Sequence, residues 1–145
     1  MRIAELEDID TVLQMAMKFV AATGYKDYAN EETIKDLIKH YIESPRDEYI
    51  IVLDDFGFIA GRCTGFPFGP GKIASETAWW IDPDSRGQNR GQKLMQAFEY
   101  WAKNVAQADM ISMTSLDKDV EKIYRKSGYK LYERAYMKVF SGSTN

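Results

Sequence analysis

The stretch from Glu76 to Leu94 constrains this chain most, because it changes element type twice in a short span. It reads Glu-Thr-Ala-Trp-Trp-Ile-Asp-Pro-Asp-Ser-Arg-Gly-Gln-Asn-Arg-Gly-Gln-Lys-Leu. The first part has the β-branched and aromatic content of a strand, Pro83 ends it, and Ser85 to Gly91 leads into an amphipathic helix predicted to run to about Ala106. A strand, a Gly/Arg turn and a helix start together make an anion site. The first turn of a helix leaves N–H groups without intrahelical partners, and the aligned peptide dipoles add partial positive charge there. Gly87 and Gly91 allow close approach to the backbone, and Arg86, Arg90 and Lys93 supply three cations. A pyrophosphate is the ligand this pattern fits best.

The rest of the sequence narrows the choices. A chain of 145 residues with 45% hydrophobic residues is expected to form one domain, spanning residues 1–145, with a sizeable core. Its longest apolar run, Tyr49 to Leu53, is far too short to span a bilayer, and the acidic segment Glu5 to Asp8 does not read as a signal peptide. A cytoplasmic protein is expected. One cysteine, Cys63, forbids an internal disulfide, and one histidine, His40, leaves almost no route to a Cys/His metal site or a histidine-based triad. No metal is therefore expected. A net charge of −3 gives no general attraction for nucleic acid, and the cations near Arg86 form only a small patch.

In chain order, a short strand at Met1 to Glu5 precedes a helix carrying Ile9, Val12, Leu13, Ala16, Phe19 and Val20, with Asp8 as its cap. Asn30 is placed to cap a second helix whose apolar stripe is Ile34, Leu37, Ile38, Tyr41 and Ile42. Glu48 to Leu53 and Phe58 to Phe66 read as a hairpin turning at Asp54 to Gly57, and Lys72 to Ile81 as the next strand. After the helix from the Gly/Arg turn, Met110 to Thr114 is a short strand, giving a strand–helix–strand unit of the kind that pairs in parallel. A last helix, capped by Asp117 or Asp119, holds Val120, Ile123 and Tyr124 and stops at Gly128. Tyr129 to Tyr132 and Tyr136 to Phe140 read as a final hairpin.

Ile81 to Gly91 followed by an amphipathic helix, together with Ile123-Tyr124-Arg125-Lys126-Ser127-Gly128-Tyr129, resembles the GCN5-related N-acetyltransferase (GNAT) superfamily. The form Trp79-Trp80-Ile81-Asp82-Pro83 is also similar to small bacteriophage-type acetyltransferases. The resemblance runs along the whole chain and implies an α/β (α+β) fold of the acyl-CoA N-acyltransferase type. Its sheet would be mixed, mostly antiparallel and flanked by about four helices. It implies binding of acetyl-CoA as co-substrate by Trp80, Ile81, Arg86, Gly87, Gln88, Asn89, Arg90, Gly91, Gln92 and Asp117. Three positions depart from the family pattern. Asn89 stands where the turn has its middle glycine, and Asn tolerates the left-handed conformation but narrows the space beside the phosphates. Arg90 replaces an apolar residue and either contacts phosphate or points to solvent. Asp117 stands where an Asn is common.

The activity implied is acetyl transfer to a primary amine by direct attack on the thioester, the acceptor being a small molecule or a peptide. An amine with pKa of about 10.4 is almost wholly protonated at pH 7, so a base is useful. Glu76 is the candidate base and Tyr124 the candidate acid for the leaving thiolate. Their plain alternatives are a strand Glu facing solvent or paired with an Arg, and a core aromatic. A backbone N–H of the Trp79 to Ile81 segment would polarise the thioester carbonyl. Trp79, Trp80 and Trp101 read as core residues, Cys63 as a small buried hydrophobe and His40 as solvated. The aromatics in or beside loops, such as Tyr25, Phe68, Tyr132 and Tyr136, fit an acceptor site or a homodimer contact. A non-catalytic module of the same fold, acting through protein–protein contacts or acyl-CoA binding, is the alternative function. A nucleic-acid binder ranks last.

Overall fold

The computed structural model describes residues 1–116 and 118–140, so the expected role of Asp117 lies outside the described residues. Five strands form one sheet in sequence order: β1 (Arg2–Ile3), β2 (Tyr49–Leu53), β3 (Gly57–Gly65), β4 (Lys72–Ile81) and β5 (Met110–Ser112). The first four pair antiparallel and β4 pairs with β5 in parallel. The mixed, mostly antiparallel sheet expected from sequence is present, as is the parallel unit across the Gly/Arg turn.

Helices cover both faces of the sheet, which is why β2 is apolar without alternation. Its odd-numbered residues Ile51 and Leu53 join the core under α1 (Ile9–Ala21) and α2 (Glu31–Glu43), whereas Ile50 and Val52 join the core under α3 (Arg90–Asn104). Phe98 and Leu94 anchor that second core with no exposed surface. Gly61 makes room for them, since a Cβ there would collide with the Phe98 ring.

Several local expectations hold. Asn30 accepts the Thr33 N–H at 2.9 Å and caps α2. Gly128, at φ +90°, ends α4 (Lys118–Lys126) in a Schellman arrangement, with Tyr129 N–H on the Tyr124 carbonyl and Gly128 N–H on that of Arg125. Asp119 lies inside α4 and does not precede it. Cys63 is buried and His40 exposed. Leu37, expected on the buried stripe of α2, is instead more than half exposed, because the row that meets the core runs through Ile34, Ile38, Tyr41 and Ile42.

Asp8 departs from its expected role. It makes no side-chain cap on α1. It closes the preceding turn by accepting the Glu5 N–H at 2.8 Å and takes both ends of the Arg2 guanidinium at 2.6 Å. The final hairpin is a second departure, because residues 129–140 carry no strand. A hairpin needs an apolar surface to lie on, and Tyr132, Tyr136 and Phe140 meet none among the described residues, each being about nine-tenths exposed.

Candidate active site

The site is built where β4 leaves its neighbour. The ladder pairs Ile73 with Met110, Ala74 with Ile111 and Ser75 with Ser112, and stops there, whereas β4 runs on to Ile81. The two strands part beyond that point. On the other edge of β4, Ala60 pairs with Ala78 but Gly61 pairs with Glu76, so Thr77 is an extra residue, a β-bulge. The bulge shifts the side-chain phase of the strand. Thr77 turns to the α1/α2 face, where its hydroxyl accepts from Tyr41 at 3.1 Å, and Ala78 and Trp80 pack on that same core. Trp79 and Ile81 pack on the opposite face with α3.

Glu76 is 7% exposed and reaches into the gap between the strands. There the Thr114 N–H and hydroxyl both donate to Glu76 Oε1 at 3.2 Å. The carboxylate thus takes the place of a main-chain acceptor where the β4–β5 ladder has ended. Burial pushes the Glu76 pKa up to about 7, and the two Thr114 bonds keep it from rising further. Both plain alternatives for Glu76, a solvent-facing strand residue and an ion-paired one, fail. It is buried, and no cation pairs with it among the described residues.

Tyr124 comes to the same group from α4. Its hydroxyl donates to the Thr114 carbonyl at 2.5 Å, and its ring stacks on Trp79 with centroids 5.9 Å apart. Thr114 therefore touches both candidate catalytic residues, one with its N–H and hydroxyl and the other with its carbonyl. Sequence reading passed over it, since a lone Thr just beyond a short strand carries no pattern. Trp79 was read as core, yet it is only partly buried and its enclosed Nε1 has no partner among the described residues.

The anion turn adopts the backbone its residue types favour. Gly87 has φ +94° with open space around it, and Asn89 has φ 59°, the left-handed conformation that Asn tolerates. Asn89 precedes α3 without a side-chain cap, so the first N–H groups of the helix are left for another acceptor. Gly91 serves packing: a Cβ there would stand 3.2 Å from the Trp79 ring. Contacts thus run without a break from the turn through Trp79 and Tyr124 to Thr114 and Glu76.

The two arginines are anchored on the protein itself. Arg86 Nε donates to the Ile81 carbonyl at 2.9 Å and its guanidinium lies over the Trp80 ring. Arg90 also lies against the protein. Its guanidinium covers the Phe56 ring at 3.8 Å and bonds the Ser85 carbonyl at 3.4 Å. Gln88 is exposed and Gln92 partly buried. The Trp80 and Ile81 side chains are core, and the Trp80 Nε1 donates to Asp82 at 3.0 Å. What Trp79 and Ile81 offer a ligand is main chain. The Asp82 N–H donates to Phe56 across the β3 edge, and main-chain groups alternate between edges along a strand. Those of Trp79 and Ile81 therefore face away from β3, towards the gap.

Comparison with known proteins shows the family and the fold. Residues 13–129 match the pattern of the acetyltransferase (GNAT) family, and the chain belongs to that family. Similar solved structures include a GCN5-related N-acetyltransferase from Ralstonia eutropha JMP134, at 15% identity and TM-score 0.77 over 95% of this chain and 96% of that one. A GNAT family acetyltransferase from Staphylococcus aureus shares 18% identity at TM-score 0.69 over 96% of each chain. A ribosomal-protein-alanine N-acetyltransferase from Brucella melitensis biovar Abortus 2308 shares 14% at TM-score 0.69, over 95% of this chain and 97% of that one. At these identities the likeness is one of fold. No curated protein matches the sequence.

Proposed function

We propose that the chain moves an acetyl group from acetyl-CoA to a primary amine, of a small molecule or a peptide, by direct attack of the amine on the thioester. The observation that carries this reading is Glu76: a buried carboxylate with pKa about 7 and no cation beside it among the described residues, set where two strands part. Such a group is half ionised near neutral pH and basic enough to take a proton from an ammonium, which an ordinary carboxylate does poorly. Glu76 receives the amine proton, directly or through water. Tyr124 supplies a proton to the departing thiolate once its hydroxyl turns from the Thr114 carbonyl onto the sulfur. The uncapped N–H groups at the start of α3 hold the pyrophosphate, and the outward main chain of Trp79 and Ile81 meets the acyl arm. The reading places the protein in the cytoplasm, where acetyl-CoA is at hand.

A second reading has one specific observation in its favour. Arg86 and Arg90 each bond a main-chain carbonyl and cover an aromatic ring, so part of the turn's positive charge is engaged within the protein, although Arg86 and Lys93 are both exposed. A module of the same fold without turnover would account for that.

Calorimetric titration with acetyl-CoA tests the cofactor site, and turnover then separates the two readings; the titration is run on the wild type beside Gly91→Ala and Gly91→Glu. The alanine variant adds the Cβ contact with Trp79 without charge, and the glutamate adds a carboxylate at the anion site. Micromolar binding by wild type and alanine variant with none by the glutamate variant supports the cofactor site. Thiol release with a panel of amines then tests turnover. Binding by none of the three, with the wild type folded, overturns the enzyme reading.

A further inference from the structure

The two irregular residues of β4 are anchored to different elements. Glu76 reaches Thr114 beside β5, and Thr77 takes the Tyr41 hydroxyl from α2 at 3.1 Å. On either side of them β4 is fixed by other means. Residues 73–75 pair with both β3 and β5, and Trp80 and Ile81 are buried in the two cores. Ala74 faces the α3 core and Ala78, four residues on, faces the α1/α2 core, whereas regular alternation would put both on one side. The extra residue that reconciles them is Thr77, and its facing decides where its neighbour Glu76 points.

The adjoining strand gives the bulge no side-chain support. Opposite it stand Ala60 and Gly61, and a Cβ at Gly61 would lie 2.6 Å from the Ser75 carbonyl oxygen, so nothing longer fits there. Support comes from the helix layer instead. Tyr41 is 6% exposed, and its ring packs on Tyr49 with centroids 4.8 Å apart, which delivers the phenol to the sheet in one orientation. A buried hydroxyl is costly to leave unpaired, and Thr77 is the hydrogen-bond partner that Tyr41 finds.

We propose that Tyr41 is a positioning residue for Glu76: through its bond to Thr77 it holds the bulge that keeps the carboxylate in the gap between β4 and β5. Both hydroxyls lie on the α1/α2 face, so the effect passes to Glu76 through the main chain that joins it to Thr77. The part of Tyr41 in catalysis rests on the acetyl-transfer reading; its hold on Glu76 does not.

Carbon-13 titration of the glutamate carboxyls, with the Glu76 signal identified by Glu76→Gln, tests this on Tyr41→Phe, Thr77→Val, their double variant and Thr77→Ser. Tyr41→Phe keeps the ring packing and Thr77→Val the branched shape, so each deletes the bond and little else. Burial is the largest cause of the raised Glu76 value, and a loosened bulge admits water, so the midpoint should fall by about one pH unit in each single variant. The double variant should fall no further, and Thr77→Ser, which keeps the hydroxyl, should match the wild type. In turnover, kcat should drop roughly tenfold in Tyr41→Phe and Thr77→Val with KM for acetyl-CoA unchanged. A lower Tm with the Glu76 midpoint in place overturns the proposal, because the bond then serves stability alone. Additive shifts in the double variant overturn it too, as does a displaced midpoint with kcat unchanged. The expected shifts in a protein that acetylates no amine uphold the hold on Glu76 and count against the acetyl-transfer reading alone.

Discussion

Asp8 and Glu76 are both buried carboxylates, 6% and 7% exposed, and their chemistry is opposite. Asp8 receives the Arg2 guanidinium at both oxygens and the Glu5 N–H besides. The Arg2 bond is the largest of the influences that pull its pKa down to about 2. Glu76 has two Thr114 donors on one oxygen and no cation, so burial dominates and its pKa rises to about 7. A paired carboxylate is locked in its charged form and holds a chain segment in place. An unpaired one, held near neutral pH in its titration, is a liability to the fold and an asset to proton transfer. Burial alone does not separate these roles; the partner does.

The comparison breaks most sharply on activity. Glu76→Gln keeps the shape and one acceptor for Thr114 but removes the base, and kcat/KM for acetyl transfer is expected to fall on the order of a hundredfold or more. Asp8→Asn, far from the gap, should leave the rate unchanged while lowering Tm by several degrees, since a charge-assisted pair is lost. Steady-state kinetics and thermal melts of the two variants together decide the matter. A rate loss confined to Asp8→Asn would reverse the assignment.

Stability against pH sharpens the same contrast, and the signs oppose. The folded protein keeps the Glu76 proton up to about pH 7, whereas the unfolded chain releases it near 4.5, the ordinary value for a glutamate. The folded state therefore binds more protons in that window, and Glu76 makes the fold less stable as pH rises through it. Asp8 has a folded pKa of about 2 against 3.8. Its contribution is present above the higher value and is lost as pH falls through the lower. Denaturant unfolding of Glu76→Gln and wild type should accordingly show the variant gaining on the wild type between about pH 5 and pH 8. A constant difference across that range would mean that Glu76 titrates as an ordinary exposed carboxylate.

What could be read in the sequence follows the same division between local and distant causes. The Gly/Arg turn was legible because its requirements are local: Gly87 and Asn89 are residue types that reach positive φ, and both do. The parallel unit around α3 was legible from the hydrophobic period that follows the turn. Glu76 could be named from family resemblance, but its environment could not, since that depends on the bulge at Thr77 and on where the β4–β5 ladder stops. Asp8 read as a helix cap because its partner Arg2, six residues away, answers to no helical spacing. The strand pattern of residues 129–140 reports local preference and says nothing about whether an edge in the same chain receives it. The charge of Arg86 and Arg90 and the place of both in the turn are legible in the sequence, but only packing shows Trp80 and Phe56 beneath them.

The smallest expected effect tests the cause assigned to the Glu76 pKa. Thr114→Val preserves side-chain shape and the main-chain N–H donor while deleting the hydroxyl, one of the two bonds that oppose burial. With less to stabilise the carboxylate, its pKa should move above about 7. The loss of one hydrogen bond to a charged group, roughly 1.5–3 kcal/mol, limits the move to about one to two pH units. If Glu76 is the base, the rising limb of kcat/KM against pH shifts to the alkaline side by the same amount, and the rate recovers at high pH. A carbon-13 titration of the glutamate carboxyls reads the shift without turnover, so it remains informative if the acceptor is the wrong amine. A downward shift would mean that the deleted hydroxyl had been stabilising the protonated form. An unchanged midpoint would transfer control of this carboxylate to the Thr114 main chain alone, and with it the distinction between Glu76 and Asp8 would rest wholly on the missing cation.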